Sequence, residues 1–153
     1  MIPDSNVLLR KWLLQSAELA ALLPPRDGLG KPCLVGDSNN SGSIYVGIMP
    51  KSFNPLDGPG MQLSTRGGSP HPEIIDLANP SIQVRIWDAP GKDLRVRQVY
   101  RTLYDFVHGK AGVVANVGVI MSGLIEVDGQ DTVDPETGWV GVLTFVSLIA
   151  RSN

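Results

Sequence analysis

"QVRIWDAP", residues 83–90, is the stretch on which the reading of this chain turns. Ile82, Val84 and Ile86 alternate with Gln83, Arg85 and Trp87, the period-two pattern of a strand, and the strand stops at Asp88-Ala89-Pro90. The aliphatic side belongs to a core. The opposite side carries a cation and an indole, which in water would be wasted apolar area, whereas Arg and Trp are the residue types that anchor protein interfaces. A sheet face turned towards a protein partner is therefore expected.

Beyond Pro90, Val96, Val99, Tyr100, Leu103, Phe106 and Val107 recur at helical spacing, with Arg95, Gln98, Arg101, Thr102 and Asp105 opposite them. The spacing predicts an amphipathic helix ending at Gly109. Residues 117–127 (VGVIMSGLIEV) and 139–149 (WVGVLTFVSLI) read as two strands apolar on both faces, so each side of that hairpin needs cover. The acidic DGQDTVDPETG between them reads as a turn that stays mobile until a partner orders it. Upstream, residues 44–48 and 61–66 alternate as two further strands, expected to pair as antiparallel neighbours, with polar loops at 51–60 and 67–81.

At the N-terminal end, Asp4 and Ser5 offer a cap and Pro24-Pro25 a stop, which predicts one helix of about five turns reaching Leu23. Leu8, Leu9, Trp12, Leu19 and Leu23 make one apolar face, and Leu13, Leu14, Ala17 and Ala21 a second flank, so this helix is expected to touch two bodies. The sum is an α+β fold: a mixed, mainly antiparallel sheet of about five strands with two main helices packed on one face.

The chain has 153 residues, which suits one domain able to bury a core without staples. Apolar residues make up 42% and charged residues 18%, while 17 Gly and 12 Pro imply generous loops. A net charge of −2 argues against a generic nucleic-acid binder, whose affinity rests on many Lys and Arg contacts to phosphate. A single cysteine, Cys33, forbids an internal disulfide and makes a reducing cytoplasm the default. No apolar run reaches the length of a membrane span, and the N-terminal MIPDSNVLLRKWLLQ lacks the features of a secretory leader.

Catalytic machinery is not apparent. His71, His108 and Cys33 are too scattered for metal-ligand spacing, and no metal or cofactor is expected. DGLGKPC resembles a phosphate loop only in part, because Pro32 stands where a Ser or Thr hydroxyl is required. The second helix and its approach carry Lys92, Arg95, Arg97, Arg101 and Lys110 against Asp93 and Asp105, whereas residues 126–136 carry five carboxylates and no cation. That asymmetry is either two solvated surfaces or complementary charge between neighbouring copies.

The element order, with "SIYVGIMP", "MQLSTRGGSPHP", "SIQVRIWDAP", "LRVRQVYRTLYDFVHG" and "DPETGWVGVLTFVSLIAR", resembles the tail terminator (tail completion, or minor tail) proteins of long-tailed bacteriophages over nearly the whole chain. The resemblance implies a non-enzymatic virion subunit, assembled in the host cytoplasm, that forms a ring of six copies at the head-proximal end of the tail. Its partners would be other copies of itself, the major tail tube protein and a neck or head-completion protein, with DNA passing through the lumen without specific binding. Interface residues expected on this reading are Arg85, Trp87, Leu13, Leu14, Arg95, Arg101, Asp131, Asp134 and Glu136. Two other readings fit the same residues: a different head–tail connector subunit, or a small-molecule-binding α+β module using the loop at residues 28–42.

Overall fold

The computed structural model describes residues 4–33, 43–70 and 77–152, without the side chains of residues 69–70. Its elements run α1 (Ser5–Leu13), α2 (Ala17–Leu22), β1 (Ile44–Val46), β2 (Gly60–Pro70), β3 (Leu77–Asp88), α3 (Asp93–Val107), β4 (Lys110–Val114), β5 (Gly118–Val133) and β6 (Val140–Ser152). The fold is α+β as expected, with six strands in the order β1-β2-β3-β6-β5-β4 instead of about five. β3 and β6 form the centre, in register Ile82↔Val146, Val84↔Thr144 and Ile86↔Val142.

The inward residues of that pair, with Met61 and Leu63 of β2 and Ile120 of β5, are sealed beneath α1 and α3. α3 contributes Val96, Val99, Tyr100, Leu103 and Val107, the face that its spacing predicts. α1 contributes Leu8, Leu9, Trp12 and Leu13. With the turn that follows it, α1 also reaches both sheet edges: Arg10 Nε donates to the Ile44 carbonyl of β1 at 2.8 Å, and Gln15 Nε2, in the turn, donates to the Val113 carbonyl of β4 at 3.0 Å. In a flat six-stranded sheet those edges would lie roughly 24 Å apart, yet Arg10 and Gln15 are only five residues apart across the last turn of α1 and the turn after it, roughly 8 Å at helical rise. The sheet is therefore curled around α1.

Several expectations need correction. The predicted five-turn helix is two helices, because Ser16 leaves the first and caps the second by accepting the Leu19 N–H at 3.1 Å. β1 and β2 pair in parallel, Ile44 beside Met61, and not as antiparallel neighbours. Residues 47–59 supply about the dozen residues that a parallel crossover needs. They turn back through Gly47 (φ 83°), a 3₁₀ turn at Pro55–Asp57 and Gly58 (φ 125°). Both ends of the expected polar loop at 67–81 are paired, since β2 runs to Pro70 and β3 begins at Leu77 across a bulge at Thr65/Gly67.

The expected acidic turn is mostly strand as well. β5 continues to Val133, with Asp131 opposite Val142, leaving a tight turn at residues 134–139. β4 is an element that the sequence reading missed.

Trp12 explains a small residue in each of two strands. A Cβ on Gly112 would come within 2.2 Å of the indole Nε1, and one on Gly123 within 3.0 Å of the ring. Gly112→Ala is expected to lower stability by about 1–3 kcal/mol through overpacking, read as a reduced urea midpoint. Leu103→Ala, which empties a fully buried site on α3, is expected to cost about 2–5 kcal/mol. An unchanged midpoint for either variant would contradict the packing described.

Candidate subunit interface

The helices cover one face of the sheet, and the side chains that alternate outwards define the other. On β3 these are Gln83, Arg85 and Trp87, each half-buried between fully buried neighbours. The register extends the row sideways: Arg85 lies between Gln62 and Leu143, and Trp87 between Gly60 and Gly141. Gln130 and Thr132 of β5 continue these rows beyond β6.

The two glycines make room for flat rings. A Cβ on Gly60 would sit 2.3 Å from the Phe53 ring, and one on Gly141 would sit 2.9 Å from the Trp87 ring. A chain of edge-on aromatics results, Trp87 to Trp139 at 6.3 Å, Trp139 to Phe53 at 5.7 Å and Phe53 to Tyr45 at 6.4 Å. Trp87 is thus partly covered by Trp139 of its own chain. The Arg85 guanidinium lies 5.4 Å from the indole centroid, and its Nε is shielded from solvent without an acceptor.

The other half of this face is apolar. Val113 of β4, Leu124 and Val127 of β5 and Ile149 of β6 are 39–59% exposed, and Phe145 carries the Arg66 guanidinium 4.2 Å above its ring. A single exposed aliphatic means little, but several adjoining ones on one uncovered sheet face mark an interaction surface.

The remaining expected interface residues are scattered. Leu13 is 1% exposed and belongs to the core, because its position on α1 turns it under the sheet. Leu14 is half-buried against the same core. Arg95 is held by Asp88, donating from Nε at 2.7 Å and from a terminal nitrogen, which raises its pKa and ties α3 to the end of β3. Arg101 is exposed, its guanidinium 6.0 Å from the Tyr104 ring. Asp131 pairs with Arg97 at 3.3 Å.

Asp134 accepts the Glu136 N–H at 3.0 Å and its carboxyl is held below the usual range by that and neighbouring turn bonds. Glu136 is exposed at the hairpin tip. The structure thus brings Arg85 and Trp87 together and places Asp131, Asp134 and Glu136 along one hairpin. Phe53, Trp139 and the two glycines of the aromatic row were not anticipated, since only strand register reveals that they adjoin Trp87.

The other expected sites look different in place. His71 and residues 34–42 lie outside the described residues. In the phosphate-loop-like segment, the Asp27 carboxylate accepts the Leu29 and Lys31 N–H groups, so those donors are used within the turn. Among the described residues no three His, Cys, Asp or Glu side chains cluster as metal ligands. Among the described residues no helix is long and apolar enough to cross a membrane. A cleft between α2 and α3 is lined by Gln15, Ser16, Ala17, Glu18, Asp105 and Phe106, which supplies two carboxylates and no cation.

The fold is shared end to end with a chain in the virion of native gene transfer agent (GTA) particle, at a TM-score of 0.62 and 13% identity, over 97% of this chain and 96% of that one. No family model and no curated protein matches the sequence.

The Asp88–Arg95 pair separates a structural arginine from a docking one. Asp88 is fully buried and also accepts the Ala89 N–H at 2.7 Å. Removing its charged donor with Arg95→Ala is expected to cost about 2 kcal/mol of stability, measured by denaturant unfolding. A variant as stable as the parent would contradict the structural role.

Proposed function

We propose that this chain is a structural subunit of a phage-like virion, of tail-terminator type. It closes into a ring, six copies in the family it resembles, that caps the tail tube at its head-proximal end. Its neighbours in the particle are other copies of itself, the major tail tube protein and a neck or head-completion protein, and DNA passes through the lumen without specific binding. Assembly takes place in the host cytoplasm. The observation that carries the reading is the fold shared with a virion chain over 97% of the length. The uncovered sheet face supports it, because half-buried Arg85 and Trp87 beside exposed aliphatics have the make-up of an interface core.

A surface of this kind acts by complementarity and not by bond-making, so the readout is assembly. Native mass spectrometry and negative-stain microscopy of the purified protein, alone and with tail tubes, are expected to show a discrete ring with an open centre. Trp87→Ala is expected to weaken association by more than about 2 kcal/mol, roughly thirtyfold, while the melting temperature is nearly retained. A protein that stays monomeric at high concentration and on tubes overturns the ring. A collapsed melt for Trp87→Ala assigns the indole to its own chain's packing with Trp139.

A further inference from the structure

We infer that, in the assembled ring, the Arg85 guanidinium on the open sheet face is neutralised by the Glu136 carboxylate from the β5–β6 hairpin of a second copy. The inference rests on the ring reading above and names the contact that would build it.

The first observation is an imbalance at Arg85. A half-buried guanidinium is stable when its charge and donors are met. Arg26, whose Nε also lacks an acceptor, donates from both terminal nitrogens to Ser43 Oγ and to the Pro59, Asn54 and Gly58 carbonyls. Arg95 has Asp88, Arg97 has Asp131 and the Gly129 carbonyl, and Arg66 has Glu126. Arg85 has the Trp87 ring, no carboxylate among the described residues, and an Nε out of water with no acceptor. Arg101, Lys92 and Lys110 also lack carboxylates, but they are exposed and water meets their charge.

The second observation is a hairpin carboxylate that no group among the described residues of its own chain engages. Of the five carboxylates in residues 126–136, Glu126 meets Arg66, Asp128 accepts the Tyr100 hydroxyl, Asp131 meets Arg97 and Asp134 holds its own turn. Glu136 is left, exposed beside Pro135 at the tip.

These two groups do not meet within one chain. Arg85 is level with Leu143, and the turn starts beyond Val140, three residues further along β6, which is about 10 Å of strand. Joined in one direction only, so that each copy gives its hairpin to one neighbour and its open face to another, the contact is head-to-tail and propagates round a ring, whereas a reciprocal pair would stop at a dimer. Thr132 Oγ1, on the same face and likewise without a partner, lies where the incoming turn would cross.

The test is a charge swap read by native mass spectrometry, with thermal melts as the check on folding. Arg85→Glu and Glu136→Arg are each expected to raise the concentration needed for ring formation roughly tenfold or more. The double variant, in which every contact carries the reversed pair, is expected to recover most of that loss. Glu136→Arg lies on an exposed turn, so it reports even if Arg85→Glu unfolds. A parent that assembles while Glu136→Arg assembles equally well overturns the pairing and leaves the ring. Single variants that fail without recovery in the double also overturn it, and a parent that never assembles removes the ring reading and the pairing with it.

Discussion

The bridge that α1 makes between the two edges of the sheet is the constraint from which the rest of the structure follows. A curled sheet that does not close has two edge strands whose outward carbonyls and N–H groups invite pairing with another chain. Here both edges are short, three and five residues, and Arg10 of α1 takes an outward carbonyl on one while Gln15, in the turn after α1, takes one on the other. Trp12 lies between those two anchors, against Gly112, Gly123 and Phe106, whose ring is 5.2 Å away. The helix thereby serves as core, edge cover and brace. Because α1 and α3 occupy the concave side, the convex side of β3, β6 and β5 is left without a helix, and that consequence of the curl gives the molecule its candidate interface.

Arg26 plays a comparable part for the segments that sequence composition assigns to loops. Its guanidinium is buried, 4.4 Å over the Phe53 ring, and it donates to oxygens of Ser43, Asn54, Gly58 and Pro59. Burial lowers its pKa, and Tyr45, Asp57 and Asp88 oppose that shift. One side chain thus supplies donors to three carbonyls in the second half of the β1–β2 crossover and to the Ser43 hydroxyl just before β1. Replacing it would leave several acceptors unmet at once, which is why a charged residue outperforms an apolar one at this position. The crossover in turn delivers Phe53 onto Gly60, next to the aromatic row.

Much of this was legible in the sequence where one periodicity operated alone. Ile82, Val84 and Ile86 against Gln83, Arg85 and Trp87, and the Val96, Val99, Leu103 face of α3, follow directly from spacing. Legibility failed where a side chain competes with the backbone. Ser16 divides an apolar run that periodicity reads as one helix, because its hydroxyl takes an N–H of the next turn. It failed again where polar residues are strand. Asp128 and Gly129 occupy a bulge on β5 fixed by Tyr100, whose hydroxyl donates to Asp128 and accepts the Gly129 N–H at 2.8 Å. Such a bond joins residues far apart in sequence and leaves no local signal. Among the interface residues, Arg85 and Trp87 were visible by alternation, while Leu13 and Arg95 were not separable from surface residues until the core and Asp88 were in place.

A fold held from one side also accounts for a shape kept at 13% identity across nearly the full chain. The concave face asks for apolar residues of about the right volume at alternate strand positions, a demand that many sequences meet. The convex face is under no such demand from folding: Gln83, Arg85, Leu124 and Ile149 stand outside the buried core and are free to vary without disturbing it. Asp128 shows the limit of that freedom. Its pKa is lowered by the Tyr100 hydroxyl and then by the Gly129 N–H, so its ionised form favours the folded state. That contribution is fully present above the ordinary aspartate value near ~4 and is lost as pH falls through the lowered one. Asp128→Asn is therefore expected to melt below the parent at neutral pH, and the gap should close on acidification through that window. A gap that stays constant down to the acid limit would show that the bulge is held by shape alone.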